Sequence, residues 1–330
     1  MQDKQAMISA ALGAMTYVLY LEPEHAVLVV TDEATAPIGE AFREAAASHG
    51  CPTDTWVIPE AERPMQDPPA ELLARLDHTA LVINTLLPRA DETPFRIKWL
   101  KAIEKTKRIR CGHCPGITAE MMTGGPMNID YKAMRETARQ LIGAFAGAST
   151  TRITTPAGTD LLLELTDRAF LSDVGATDEY GCNLPCGEIY CAPVENGANG
   201  VLVVDGTISS RGFSDHPLHI SVENGAIVGL DCENPTVIKD VEGFTGVDPE
   251  AKIIGELGIG VNPGAKLIGN MLEDEKALHT GHIAFGNNEE FGGQNRSATH
   301  HDFLFRYPTF QVTYADGSSR LIIEDGEFRF

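Results

Sequence analysis

Positive charge is scarce in this chain: 26 Lys and Arg stand against 47 Asp and Glu, leaving a formal net charge of −21 over 330 residues. A surface that negative repels phosphate backbones and anionic headgroups, so neither nucleic acid nor a membrane is expected as a partner. Long apolar runs are missing too. Ala26–Val30 and Val201–Val204 fall far short of the ~20 residues that cross a bilayer. Met1-Gln-Asp-Lys-Gln carries no basic-then-apolar leader, and both absences point to the cytoplasm. The first half also has no G-x-G-x-x-G and no phosphate-binding loop ending in Gly-Lys-Ser or Gly-Lys-Thr, so a doubly wound sheet there need not hold a nucleotide.

Cysteines number seven, an odd count in a chain large enough to fold without staples, which points to reduced thiols. Cys111-Gly-His-Cys114 has redox spacing and Cys182-Asn-Leu-Pro-Cys186 could hold a soft metal. Neither pair has a second pair at ribbon or finger spacing, so the thiols read as buried packing.

What is present is enough apolar content, 43%, for two cores of ordinary size. From Ala26 onward, strand-like runs (Ala26–Val30, Thr55–Ile58, Ala80–Asn84, Lys107–Cys111) alternate with helical spacings (Pro37–His49, Ala70–Leu76, Pro94–Lys105). That alternation predicts an α/β domain over 1–148 with a mainly parallel sheet. Ile129–Phe145 is the longest helical pattern and leads to its end. Beyond it, Thr151–Thr155, Leu161–Leu165, Val201–Gly206, Leu218–Val222 and Phe310–Tyr314, bounded by turns such as Asn224-Gly225 and Asp316-Gly317, predict an α+β, β-rich domain over 149–330.

The suggestive chemistry lies between residues 180 and 302. Asn183-Leu-Pro-Cys-Gly-Glu188 is a sharp turn with a carboxylate at its exit. Ile254-Gly-Glu256-Leu-Gly-Ile-Gly260 is an apolar, glycine-interrupted run holding a lone acid, which needs a cation or a proton if buried. His282 heads the apolar run Ile-Ala-Phe-Gly286. His300 and Asp302, two apart on an extended segment, share a face, whereas His301 points away and reads as surface. Three carboxylates and two imidazoles favour zinc, cobalt, manganese or ferrous iron over calcium or magnesium. They could hold one or two divalent ions and activate water. Asp274, Glu275 and Lys276 read as a solvated helix face, and His113, His216 and His219 are set aside.

These groups make the chain resemble the M29 family of metallo-aminopeptidases, the aminopeptidase T or leucyl aminopeptidase-like proteins of the short bacterial type. The resemblance rests on Thr154-Thr-Pro-Ala-Gly-Thr-Asp-Leu, Asn183-Leu-Pro-Cys-Gly-Glu-Ile-Tyr-Cys-Ala-Pro-Val-Glu, Gly255-Glu-Leu-Gly-Ile-Gly-Val-Asn-Pro, Glu273-Asp-Glu-Lys, Gly281-His-Ile-Ala-Phe-Gly and His300-His-Asp. It implies metal ligands at Glu188, Glu256, His282, His300 and Asp302, a co-catalytic two-metal centre, removal of N-terminal amino acids from a peptide or small amide, and a homodimer. Glu188 or Glu289 would carry the proton of the attacking water. One departure concerns Glu289, which stands where the family usually has a tyrosine; a carboxylate cannot donate a hydrogen bond to an oxyanion unless protonated. The chain is also similar, more distantly, to the 2,5-dihydroxypyridine dioxygenases, which would imply a single ferrous iron and ring cleavage. Their iron-binding histidine aligns with Glu256 and their other ligands with His300 and Asp302.

Overall fold

The computed structural model describes residues 2–175 and 181–330 and divides into two units. The first takes in the chain up to Lys132 and returns for Asp173–Cys186. The second comprises Ala133–Ser172 and Gly187–Phe330. The division falls earlier than the expected boundary at 148, so the helix Tyr131–Phe145 goes largely with the second unit. The return has a simple cause: Gly181–Asn183 adds itself in parallel to Arg110–His113 and completes the first unit's sheet.

That sheet runs in the order Thr53–Ile58, Val27–Asp32, Leu81–Asn84, Arg110–His113, Gly181–Asn183, with every pairing parallel. Val27–Asp32 is buried along its whole length, which is why Ala26–Val30 reads as an uninterrupted apolar run rather than an alternation. The helix Ala36–Ser48 buries Ile38, Ala41, Phe42 and Ala45, and Thr93–Lys105 buries Phe95, Trp99 and Ile103, as their spacing predicted. One further helix, Gln2–Tyr17, buries Ala11, Ala14 and Met15.

A buried charge cluster pins the carboxyl end of Val27–Asp32. The Arg63 guanidinium pairs with Asp32 and Glu92, its side chain only 2% exposed. Backbone amides of Leu87 and Thr35 donate to Asp32 at 2.8 and 2.9 Å, and that of Met65 to Glu92 at 2.9 Å. Burial by itself raises both carboxyls, but these donors and Arg63 together hold them below their ordinary values of 3.8 and 4.5. Depressed carboxyls stabilise the fold fully above their unfolded pKa values and lose that contribution as pH falls through the folded ones. Glu92→Gln is therefore expected to lower Tm at neutral pH and to flatten its decline below about pH 4.5; a decline as steep as wild type would show that the cluster does not govern acid stability.

The second unit holds two sheets. Eight strands run in the order Ala226–Asp231, Leu218–Glu223, Ala198–Val204, Asp160–Glu164, Ala148–Thr154, Thr309–Tyr314, Ser319–Glu324, Glu327–Phe328, with antiparallel pairings throughout. Asn224 and Gly225, at φ 48 and 77°, close one hairpin as the Asn-Gly signal predicted. A Cβ on Gly225 would fall 1.6 Å from the Glu195 carbonyl, so only glycine fits there. The five-stranded sheet has the order His300–Arg306, Thr280–Gly286, Ile254–Gly260, Glu188–Cys191, Leu171–Asp173.

Candidate metal centre

Four neighbouring strands of the five-stranded sheet carry all five expected ligands. Their register sets the side chains on one face: Gly260 lies opposite Glu188, Gly258 opposite His282, Ala284 opposite both Glu256 and Asp302, and Gly286 opposite His300. Directly paired residues project to the same side of a sheet. Each acid or imidazole therefore faces a glycine or alanine, and the face is cleared where the polar groups meet. Clearance is tight at Gly258, where a Cβ would sit 2.0 Å from His282 Nε2.

The five side chains converge as two trios. One ligand atom each from Glu188, Glu256 and His282 lies within 4.8 Å of the other two, and the same holds for Glu256, His300 and Asp302. Glu256 belongs to both: its Oε1 is 3.3 Å from His282 Nε2 and its Oε2 is 3.2 Å from His300 Nε2. His282 Nε2 is also 3.4 Å from Glu188 Oε2, and His300 Nε2 is 3.3 Å from Asp302 Oδ1. His300 Nδ1 lies 2.8 Å from the Asn287 carbonyl, which can only accept, so Nδ1 carries a proton and Nε2 faces the cluster.

The electrostatics favour positive charge. Burial pushes the His282 imidazolium towards neutrality, yet the bond to Glu256 and the charges of Glu188, Glu256 and Asp302 outweigh it and raise the group to about 9. His300 is likewise raised well above its ordinary value against burial, chiefly by Asp302 and then Glu256. Glu256 and Asp302 are lowered, the two imidazoles overcoming their burial. Among the described residues, Glu188 Oε2 and His282 Nδ1 find no hydrogen-bond partner though both are buried. A dense set of acids and imidazoles, with a buried carboxylate oxygen that accepts no hydrogen bond, is a donor set that fits a divalent cation.

Lys276 reverses the expectation of a solvated helix face. Its side chain is fully buried, and Nζ donates to Glu188 Oε1 and, at 2.7 Å, to Glu275 Oε1. Asp274 is equally buried and takes the amides of Ile268 and Gly269 at 2.8 Å and the Thr207 hydroxyl. Charges adjacent in sequence here turn inward: the four-residue helix Met271–Asp274 buries Leu272, Glu273 and Asp274, and the backbone of Lys276 and Ala277 that follows lies against Gly260 and Asn262. Burial first, then Glu188 and Asp302, pushes the Glu275 carboxyl up to about 8 despite Lys276 and His282.

Other expected residues stay outside the cluster. Glu289 begins a short turn, is largely exposed and pairs with Arg296 at 2.7 Å. His301 does point to the opposite side from His300, but it is half-buried rather than a surface group: Ser209 Oγ is 2.7 Å from its Nδ1 and Phe244 stacks on it at 4.6 Å. His113 pairs with Asn84 at 2.9 Å, and burial, then Arg96, pulls it down to about 4. His219 lies on the strand Leu218–Glu223 that the alternation predicted. All seven cysteines are reduced thiols, and among the described residues none joins a ligand group. Burial pushes Cys111 up to about 12, which fits unreactive packing thiols.

A mixed α/β chain whose antiparallel sheet gathers acids and imidazoles into a shared-carboxylate cluster has a donor set for divalent metal. The profile described as thermophilic metalloprotease (M29) matches residues 130–328, and the chain belongs to that family. Over 200 residues it is 25% identical to aminopeptidase AmpS of Bacillus subtilis (strain 168), covering 52% of this chain and 48% of that protein. The matched stretch thus spans about half of that relative. Wild-type AmpT from Thermus thermophilus superposes with a TM-score of 0.75 at 17% identity, over 99% of this chain and 100% of that one. A 2,5-dihydroxypyridine dioxygenase from Pseudomonas putida KT2440 superposes with 0.73 at 19% identity, over 99% and 97%. At these identities the superpositions establish a common fold. No helix among the described residues is long and apolar enough to cross a membrane.

Proposed function

We propose that the chain is a metal-dependent aminopeptidase-type hydrolase that releases N-terminal amino acids from peptides or cleaves a small amide. Glu188, Glu256 and His282 would hold one divalent ion, and Glu256, His300 and Asp302 a second. The observation that carries this reading is the pair of ligand trios sharing Glu256 on one sheet face. Bound there, zinc, cobalt or manganese supplies Lewis acidity and a water whose pKa is lowered towards ~7. Glu188 takes the proton from the attacking water and returns it to the leaving amine nitrogen as the C–N bond breaks. Lys276 holds the other Glu188 oxygen, and the Asn287 carbonyl fixes the His300 tautomer. Glu289, paired with Arg296, is no longer needed as the proton carrier. In this reading the protein works in the cytoplasm as a homodimer.

Reconstitution with each ion and incubation with amino-acyl anilides and dipeptides is expected to release free amine. Absence of turnover across a broad panel, in protein that demonstrably binds metal, would reject the hydrolase. Oxygen uptake dependent on ferrous iron would instead support ring cleavage, a reading disfavoured by the acid at position 256 where a second imidazole is needed. A further expected result concerns Gly258→Ala. Its new methyl displaces the His282 ring, so metal affinity should fall by roughly 10–100-fold, as when groups orienting a ligand are disturbed. Wild-type affinity by calorimetry would show that His282 is not a ligand.

A further inference from the structure

Residues two apart on an unbroken strand share a face. Ile254 and Glu256 do not. Ile254 pairs with Phe285 and Glu256 with its immediate neighbour Ala284, so Gly255 is an extra residue in the strand and turns Glu256 over to the face of His282. A bulge of this kind re-aims a side chain, and here that side chain is the carboxylate common to both ligand trios. Only glycine fits at the bulge, since a Cβ on Gly255 would fall 2.8 Å from the Gly286 carbonyl oxygen.

The bulge interrupts the ladder, so carbonyls beside it need donors from elsewhere, and buried ones left unpaired are costly. Two asparagines from the segment after Gly286 supply them. Asn295 Nδ2 lies 3.2 Å from the Ile254 carbonyl oxygen and 3.1 Å from that of Gly286, and Asn288 Nδ2 donates to the Gly255 carbonyl at 3.3 Å. Asn288 is 0% exposed and Asn295 7%. Each also holds the other: the Asn295 backbone amide donates to Asn288 Oδ1 at 2.8 Å, and the Asn288 amide to the Asn295 carbonyl at 3.2 Å. Because Oδ1 of Asn288 accepts from a backbone N–H, its Nδ2 is the atom turned to Gly255.

Glu195 braces this pair from another element. Its Oε1 takes Asn288 Nδ2 at 3.2 Å and the Gln294 amide at 2.7 Å, while its Oε2 takes the Arg168 guanidinium at 2.7 Å. Room for the Asn288 amide comes from Gly293, where a Cβ would sit 1.9 Å from Asn288 Cγ. These side chains stand outside both trios.

We propose that Asn288 and Asn295, braced by Glu195 and Arg168, are positioning residues that hold the Gly255 bulge and thereby aim Glu256 at both metal positions. They act through the backbone alone. The assignment rests on the shared-carboxylate reading of the metal centre. Its consequence is that loss of either amide weakens the two metal positions together, although neither asparagine is a ligand.

The test is cobalt titration of the full-length apo protein, followed by the visible d–d absorption that reports coordination geometry, in wild type, Asn295→Ala, Glu195→Gln and Leu163→Ala. Leu163 is fully buried in the eight-stranded sheet, so its truncation destabilises the second unit without touching the bulge. Asn295→Ala is expected to lower the affinity of each bound cobalt by ~10–100-fold, the usual cost of removing a group that orients a ligand, and to shift the absorption bands. Glu195→Gln keeps both asparagines but loses one brace, so a smaller change in the same direction is expected; if Asn295→Ala fails to fold, this variant decides alone. Leu163→Ala should lower Tm and keep the wild-type affinity and spectrum. Unaltered affinity and spectrum in the two site variants would overturn the proposal, as would an equal loss in Leu163→Ala, which marks general destabilisation. A wild type that binds no cobalt would defeat the metal-centre reading and this assignment with it; cobalt bound by wild type and equally by the site variants defeats the assignment alone.

Discussion

Glu256→Gln is expected to strip both halves of the centre of metal in one step. The carboxylate is the single member common to the two ligand trios, with one oxygen towards His282 and the other towards His300. An amide of the same shape keeps the packing but removes a full negative charge and one of the two acceptor oxygens. Each trio then falls to two of its own donors. Both imidazoles also lose the partner that stabilises their charged form in the apo protein, so the change weakens the cluster with and without metal. Metal per chain, measured by atomic absorption after dialysis, should drop towards zero, and turnover should fall by roughly 10³-fold or more as several kcal/mol of charge stabilisation leaves with the ions. Asp302→Asn provides the contrast, since it touches one trio and leaves Glu188, Glu256 and His282 intact. If Glu256→Gln retained the wild-type metal complement, or lost no more than Asp302→Asn, the shared-carboxylate centre would be wrong.

Much of this geometry was legible in the sequence because the site is built on strands. Alternation puts His300 and Asp302 on one face without knowledge of the fold, and a glycine-interrupted apolar run around Glu256 marks a strand cleared for something opposite. The helices Ala36–Ser48 and Thr93–Lys105 were equally plain, their buried positions recurring at helical spacing. Gln2–Tyr17 escaped notice because its buried face is made of alanines with Met7 and Met15, which contrast little with their neighbours. The return of Gly181–Asn183 to the first sheet is a non-local pairing, and three residues carry too little pattern to announce it. Lys276 was misread for a different reason. A run of Asp-Glu-Lys signals solvent on average, and only tertiary contact with Glu188, 88 residues away, reverses it.

Lys276→Met should be the most damaging single change to the stability of the metal-free second unit. The ammonium is fully buried, and its partners Glu188 and Glu275 have side chains only 10% and 13% exposed. Methionine fills nearly the same volume, so the loss is one of charge rather than of packing. Breaking a buried pair by deleting one partner costs about 3–5 kcal/mol, because the charge left behind has neither water nor a counter-ion. Here Glu188 loses its ammonium partner, whereas Glu275, pushed up to about 8 even with the lysine in place, carries a proton at neutral pH and is not left as a charge. Denaturant unfolding of the apo protein should therefore show a midpoint shifted far down with an unchanged slope. Adding Glu275→Gln should recover little at pH 7, where that carboxyl is already neutral, and more above about pH 8, where it would ionise; the difference measures the coupling. Zinc should stabilise the lysine variant more than wild type, because a dication ligated by Glu188 replaces some of the missing positive charge. An apo midpoint equal to wild type would mean that Lys276 does not neutralise the cluster, and equal zinc stabilisation of both proteins would mean that no ion binds at Glu188.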